Sequence, residues 1–383
     1  MTCSLTLFGM NYRQFKQNVL KHSKILQSNR LTLDAAQKES DILMLADNPT
    51  LELETSRFNP DIGGSRFGYR ASYSQPIRTG GYYSALTQKA QARKLLQRAY
   101  AAQGKAGFLR ELEHLYTAYI YQSKRTLQLK QEHTISQKLA SIAKERFKHG
   151  AESRAQYIQA KTDAMMVKTE ILAAKRKSRV IYYQMLGLAG LGKNVSLSKR
   201  FIYTVSSKVP SYPSHSPNAK ILEAKERAFS SEASLNDHAF QNFSVVGEFE
   251  SEPEQNIGRI GLSIPLPIFN DNSEKKMLAK IKQHQARLDR EQLQQNEAMQ
   301  RASLRESIRE LSAQYHALKT LEKEQKELMK LFEEGYRISK GSLLDLLITK
   351  RKWVNTQQSL IQTQRLINDQ KIELNYLEGR YND

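Results

Sequence analysis

The chain has 383 residues, 39% of them hydrophobic and 26% charged, with 59 Lys+Arg against 39 Asp+Glu for a formal charge of +20. Nine Pro, 18 Gly and a mean hydropathy of −0.61 favour long polar helices over the two or three globules that the length alone suggests at roughly 100–200 residues each. No run approaches the roughly 18–20 apolar residues of a transmembrane helix, the best being Met185–Leu191; this excludes a helical membrane protein but not a β-barrel, whose strands need only about 10 alternating residues.

The lone Cys3 cannot form an intrachain disulfide, and the scattered histidines offer no pair of ligands on one helix face, which argues against redox chemistry and structural zinc. There is no GxGxxG, GxxxxGK[ST], HExxH or GxSxG pattern, so no catalytic residue, cofactor or metal is expected. The positive charge invites a nucleic-acid reading, in which the chain is a basic cytoplasmic coiled-coil protein. Alternations such as Glu322-Lys-Glu-Gln-Lys-Glu fit a solvated helix face equally well. The start, Met1–Met10, is apolar and uncharged but shorter than a signal peptide and without a basic n-region; it is either a loose end or the remnant of an export signal. The Met-Thr before Cys3 makes no convincing lipidation motif.

From Asn11 onward the predicted elements follow one plan twice. A helix, Tyr12–Asp47, precedes two strands. Thr50–Phe58 sets Leu51, Leu53 and Thr55 against Glu52, Glu54 and Ser56, and Arg66–Ile77 sets Phe67, Tyr69, Ala71 and Tyr73 against Gly68, Arg70, Ser72 and Ser74. Pro60-Asp-Ile-Gly-Gly joins them as a hairpin loop. A long helix, Tyr82–Phe147, carries an apolar stripe at Leu112, Leu115, Tyr116, Tyr119 and Ile120 and reverses at Gly150 into a returning helix, Arg154–Leu186. After the break Val209–Pro217 come a weaker helix, Ala219–His238, and strands Phe243–Glu250 and Arg259–Phe269. In the first of these, Val245, Gly247 and Phe249 oppose Val246, Glu248 and Glu250. In the second, Ile260, Leu262 and Ile264 oppose Gly261 and Ser263. The second long helix, Ser273–Ile338, spaces Leu304, Ile308, Leu311, Tyr315 and Leu318 as in a coiled coil, and the chain turns at Ser339–Ser342 into Leu343–Tyr376.

Two landmarks share one register. Phe147-Lys-His-Gly150-Ala-Glu-Ser153 aligns with Tyr336-Arg-Ile-Ser339-Lys-Gly-Ser342, and Gln75-Pro76-Ile77 aligns with Ile264-Pro265-Leu266, each 189 residues on (339 − 150; 264 − 75). This predicts an internal duplication: a possible signal remnant at 1–10, a first structural repeat at 11–190, a linker or equatorial segment at 191–217 and a second repeat at 218–383. Each long helix spans roughly 100 Å at 1.5 Å per residue, and in the first copy the two shorter helices together match it. Four strands can cross a bilayer but cannot close a barrel, and open edges are not tolerated in lipid; three copies give twelve strands, within the known range. A soluble sandwich or hairpin packed on helices remains open on the strand pattern alone.

The duplicated order, the aromatic-x-x-Gly-x-x-Ser turn and the Pro-containing end of the second strand resemble the TolC-like outer membrane factors, the exit ducts of tripartite efflux pumps and type I secretion systems. The likeness covers Asn11 to Tyr381. Asn48-Pro-Thr-Leu-Glu-Leu-Glu, Ser74-Gln-Pro-Ile-Arg-Thr-Gly-Gly and Gly261-Leu-Ser-Ile-Pro-Leu-Pro-Ile-Phe-Asn-Asp-Asn look more specifically like the CzcC/CusC-type ducts of heavy-metal efflux. The resemblance implies a mainly α fold with a small β part: a long antiparallel α-helical barrel plus four strands per protomer of a trimeric 12-stranded β-barrel. It implies a homotrimer in the outer membrane extending into the periplasm, with outer-membrane lipid, a periplasmic adaptor protein and an inner-membrane pump of RND type as partners and no nucleic acid. The function implied is a passive conduit, not an enzyme, for heavy-metal cations; a type I secretion or drug-efflux duct is the alternative.

Carried over by residue, the tip turns that dock the adaptor are Phe147, Gly150 and Ser153, and Tyr336, Ser339 and Ser342, with Ser339 standing where such ducts usually have Gly. Asp345 matches an acidic ring at the periplasmic constriction, or else only caps the start of the returning helix near its positive dipole end, while Ile348 takes the companion acidic position, which weakens any electrostatic gate. The lipid-facing strand residues expected are Phe67, Tyr69, Tyr73, Ile260, Leu262 and Ile264.

Overall fold

The structure, a computed structural model, describes residues 9–59, 62–192, 195–212, 215–338 and 340–381. Cys3, Pro60, Asp61 and Ser339 lie outside the described residues, as does most of the apolar start. The elements in chain order are α1 (Tyr12–His22), α2 (Lys24–Met44), β1 (Thr50–Phe58), β2 (Arg66–Arg78), α3 (Gly80–Lys148), α4 (Arg154–Ala189), α5 (Pro217–Leu235), β3 (Asn242–Ser251), β4 (Asn256–Ser263), α6 (Ser273–Arg337) and α7 (Leu343–Leu377). The chain forms two compact units, and each draws segments from both halves of the sequence. The helical unit is Met1–Ser28, Gly104–Ser216 and Asn296–Asp383; the sheet unit is Asn29–Gln103 and Pro217–Gln295.

In the sheet unit the four strands make one antiparallel sheet in the order β1-β2-β3-β4. The last strand departs from expectation at both ends. It begins at Asn256, because Glu252 N–H donates to Gln255 C=O at 2.9 Å and closes a tight loop that lets Asn256 pair with Ser251. It stops at Ser263, so Ile264 is not a strand residue: Pro265 follows it and has no N–H for the ladder.

In the helical unit the single helix predicted over Tyr12–Asp47 is broken. Ser23 turns to φ −63°, ψ 121°, ending α1. Gly190, left-handed at φ 67°, caps α4 where a Cβ would meet His22 C=O at 3.2 Å, so the chain kinks where another segment presses on it. The core gathers Phe15 and Val19 of α1, Leu109, Leu112, Tyr116 and Ile120 of α3 and Met185 and Leu186 of α4, all buried.

Buried Glu113 of α3 accepts three tyrosine hydroxyls: Tyr12 at 2.9 Å, Tyr203 at 2.7 Å and Tyr381 at 2.6 Å. One carboxylate thereby ties α1, the segment after α4 and the residues after α7 to a single turn of α3. Burial first, then the Glu113 charge, pushes the three hydroxyl pKa values up, so they remain donors. One residue on, His114 meets Asp369 at 3.1 Å and Glu373 at 2.8 Å on α7. Burial alone would lower its pKa; the hydrogen bonds and charges of the two carboxylates outweigh this and raise it from 6.5 to about 9.

A pKa raised in the folded state stabilises it fully below the unfolded value of 6.5, and the contribution fades as pH climbs through about 9. The denaturation midpoint of wild type should therefore exceed that of His114→Gln by its largest margin near pH 6, where both carboxylates are still ionised, and by a shrinking margin between pH 7 and 10. A difference flat across that range would show that His114 is not held charged.

Candidate functional site

Two regions carry the residues of interest. In the sheet unit the register decides what each face presents. Leu51 pairs with Tyr73, Leu53 with Ala71, Thr55 with Tyr69 and Arg57 with Phe67. Ala71 pairs with Phe249 and Tyr73 with Gly247, while Gly247 pairs with Ile260 and Val245 with Leu262. Directly paired residues share a face, so most apolar positions of the four strands fall on one side, with Phe58, Val246 and Ile257 on the other. That side is exposed: Leu53 is 74% accessible, Tyr69 63% and Ile260 91%. Phe67, Tyr69, Tyr73, Ile260 and Leu262 all lie there, joined by Leu51, Leu53 and Phe249. Ile264 is exposed but beyond the strand end.

The opposite face is ionic. Arg70 pairs with Glu54 at 2.8 Å, and Arg259 bridges Glu250 at 2.7 Å and Glu248. An apolar face open to its surroundings and an ionic face behind it invert the usual soluble arrangement, in which the apolar face packs on a core. Among the described residues β1 and β4 each have one edge without a strand partner.

In the helical unit the two helix reversals come together. Leu139 and Ala143 of α3, Ala160 of α4, Met329 and Tyr336 of α6, and Leu343 and Leu346 of α7 form one buried cluster. Phe147 is half-exposed and stacks on Tyr157 with ring centroids 6.1 Å apart. Gly150 sits at φ 74°, where its N–H bonds Phe147 C=O at 3.1 Å and the next N–H bonds Arg146 C=O at 2.8 Å, a left-handed helix end. Ser153 then caps α4 in a reciprocal box with Gln156.

The second reversal solves the same problem with a different residue. Lys340 N–H bonds Gly335 C=O at 2.9 Å, and a Cβ on Gly341 would lie 2.9 Å from the Tyr336 nitrogen, so the close approach demands glycine at 341. Ser342 caps α7 by accepting from Leu344 N–H at 3.1 Å. Asp345 is exposed in the first turn of α7, beside the positive end of the helix dipole. Tyr336 is fully buried, so its side chain fills the junction rather than presenting a surface. Burial, then the nearby Glu152 carboxylate, pushes its hydroxyl pKa up.

Two residues that matter here lie outside the sequence expectations. Arg146 donates to Tyr336 C=O at 2.6 Å, lies 4.6 Å over the Tyr336 ring and pairs with Glu152 at 3.5 Å, so it joins the first reversal to the second. Lys350 of α7, only 2% exposed, donates to Ser136 at 2.8 Å and pairs with Asp163 of α4 and with Glu132 of α3 at 3.9 Å. Burial raises the Glu132 pKa against the opposing pull of Lys350. Lys350 had a signal in the sequence: the spacing Leu343, Leu346, Lys350, Trp353 places it on the apolar stripe of α7. Arg146 had none. Between α4 and α7 runs a groove of about 570 Å³ lined by Thr162, Asp163, Met166, Leu347, Ile348 and Arg351.

Among the described residues no helix is long and apolar enough to cross a membrane, and no three His, Cys, Asp or Glu side chains gather as a metal site. A family model described as "Outer membrane efflux protein" matches residues 16–190 and 228–380. The solved outer-membrane channel OprN superposes with a TM-score of 0.82 at 13% identity, covering 97% of this chain and 90% of that one. The outer membrane protein VceC of Vibrio cholerae gives 0.81 at 14%, covering 96% and 95%. CusC, a protein described as forming a transmembrane channel, gives 0.79 at 15%, covering 99% and 94%. At these identities the likeness is one of fold. No curated protein matches the chain in sequence.

Arg146→Met should leave Glu152, whose side chain is 5% exposed, without its counter-charge, at a cost of about 3 kcal/mol. The loss would be read as a lower denaturation midpoint and faster cleavage by trypsin after Lys148. A midpoint unchanged from wild type would mean that the junction does not depend on this pair.

Proposed function

The chain belongs to the outer membrane efflux protein family, and on that premise we propose that it is one protomer of a homotrimeric exit duct through which an inner-membrane pump expels cargo across the outer membrane. The observation that carries this is the sheet of four strands with an exposed apolar face, an ionic opposite face and an unpaired edge at each end. Three such sheets joined edge to edge give a closed barrel of twelve strands. Phe67, Tyr69, Tyr73, Ile260 and Leu262 then face lipid, and Glu54, Arg70, Glu248, Glu250 and Arg259 face the water-filled lumen.

The duplicated order of elements supports two structural repeats, 11–190 and 218–383, joined by 191–217. The helical unit stands in the periplasm, and its paired reversals, with Phe147, Gly150, Ser153 and Ser342 at the surface, dock a periplasmic adaptor. The pump is of RND type. The duct performs no chemistry of its own; energy comes from the pump. The cargo we propose is heavy-metal cations, on the strength of the strand-flanking segments Asn48–Glu54, Ser74–Gly81 and Gly261–Asn272.

Three Asp345 carboxylates drawn to one axis would attract cations and repel each other. In planar bilayers the purified protein should open discrete channels that divalent cations block, and Asp345→Asn should relieve the block. Absence of channels would refute the duct; a block unchanged in Asp345→Asn would refute the ring alone. A deletion strain that gains sensitivity to drugs but not to metal ions would assign the cargo to drug efflux instead.

A further inference from the structure

Within the helical unit, the exposed faces of α4 and α6 are chemically opposite. On α4, Ile158, Met165 and Leu172 recur every seven residues and remain 49%, 60% and 60% exposed. Arg154, Lys161, Lys168 and Lys175 recur at the same interval beside them, all exposed. A seven-residue step returns a side chain to within about 20° of the same line on the helix, so these are two parallel rows, one apolar and one basic. The acids of α4 are engaged elsewhere: Asp163 with Lys350 of α7, and Glu170 with Arg125 of α3 at 3.5 Å. Among the described residues the four basic side chains of the row make no ion pair.

On α6 the exposed seam reads Glu310, Ala317, Leu321, Glu324, Leu328 and Leu331, with the last five spaced 4,3,4,3 as in a coiled coil. Leu321, Leu328 and Leu331 are 46%, 45% and 61% exposed, and among the described residues Glu310 and Glu324 make no ion pair. No lysine or arginine interrupts the seam. Each helix therefore has an uncovered apolar line with uncompensated charge of one sign, and the signs differ.

The heights match as well. Both helices leave the junction where Arg146 and Glu152 meet Tyr336. Counting from it, Lys168 lies fourteen residues from Arg154 (168 − 154) and Glu324 thirteen from Arg337 (337 − 324), and Met165 and Leu328 are similarly level.

We infer that α4 of one copy packs antiparallel on α6 of the next copy, Met165 beside Leu328 and Lys168 beside Glu324. The inference rests on the homotrimer proposed above. Two different faces meeting make a head-to-tail contact, the kind that closes a ring. Two α4 faces meeting each other would set the lysine rows in mutual repulsion. The pairing also gives part of the +20 charge a place: the basic row of α4 answers the glutamates of the neighbour's α6.

In a Cys3→Ser background, Met165→Cys and Leu328→Cys in one chain should oxidise to a covalent trimer on a denaturing gel, and neither single cysteine should cross-link. Lys161→Glu with Lys168→Glu and Lys175→Glu should cut the trimer fraction at least tenfold in detergent with the helical circular dichroism unchanged, and adding Glu310→Lys with Glu324→Lys should restore it. A trimer that fails to cross-link, or one in which Met165→Cys alone cross-links or stays open to maleimide, would overturn the pairing while leaving the trimer intact. A wild-type chain that is monomeric would instead remove the trimer on which the pairing rests.

Discussion

The backbone edges of β1 and β4, without strand partners among the described residues, are the constraint that the proposed architecture answers. In water such an edge is hydrated, but in hydrocarbon each unmet N–H or C=O costs several kcal/mol, as an order-of-magnitude figure. The apolar face of this sheet is exposed across all four strands, so the surface suited to lipid and the edges forbidden in lipid belong to the same element. Joining the edge of β1 to the edge of β4 from another copy removes the conflict without adding a residue. The register makes this possible. A slip of one residue in the β1–β2 pairing would bring Glu52 and Glu54 to the apolar side, beside Tyr69 and Tyr73.

The helical unit is held by buried and half-buried polar groups with well-defined partners as well as by apolar packing. Glu113 gathers three hydroxyls, His114 two carboxylates, and Lys350 a serine and two acids. Such groups add little net stability over well-packed apolar residues, but each tolerates only one arrangement of its neighbours, because a displaced partner leaves a buried charge unmet. Long helices with repetitive stripes can slide by a heptad with small apolar loss. A lysine that must find Ser136 and Asp163 cannot, and this gives α3, α4 and α7 a fixed alignment.

Much of this was legible in the amino-acid order. β1 was bounded to the residue, the long helices to within two, and the apolar sides of β2 and β4 followed from period-two alternation. The errors have physical sources. At the kink, His22 and Ser23 lie against Gly190, far along the chain, and no local pattern foretells that contact. Ile264 continues the alternation of Ile260 and Leu262, but the missing N–H of Pro265 ends the ladder before it. The demand for glycine at 341 shows only in the 2.9 Å approach of its would-be Cβ to the Tyr336 nitrogen. Arg146 looked like any basic residue in the last turn of a helix; its partners Glu152 and Tyr336 become neighbours only when both reversals are packed together.

Native mass spectrometry of the protein extracted from membranes in mild detergent tests the closure of the sheet most directly. A single species at three times the 44.0 kDa chain mass is the expected result. A species at the mass of one chain or of two, stable at micromolar concentration, would contradict it, because neither four nor eight strands from this sheet would leave the barrel of twelve on which the duct depends.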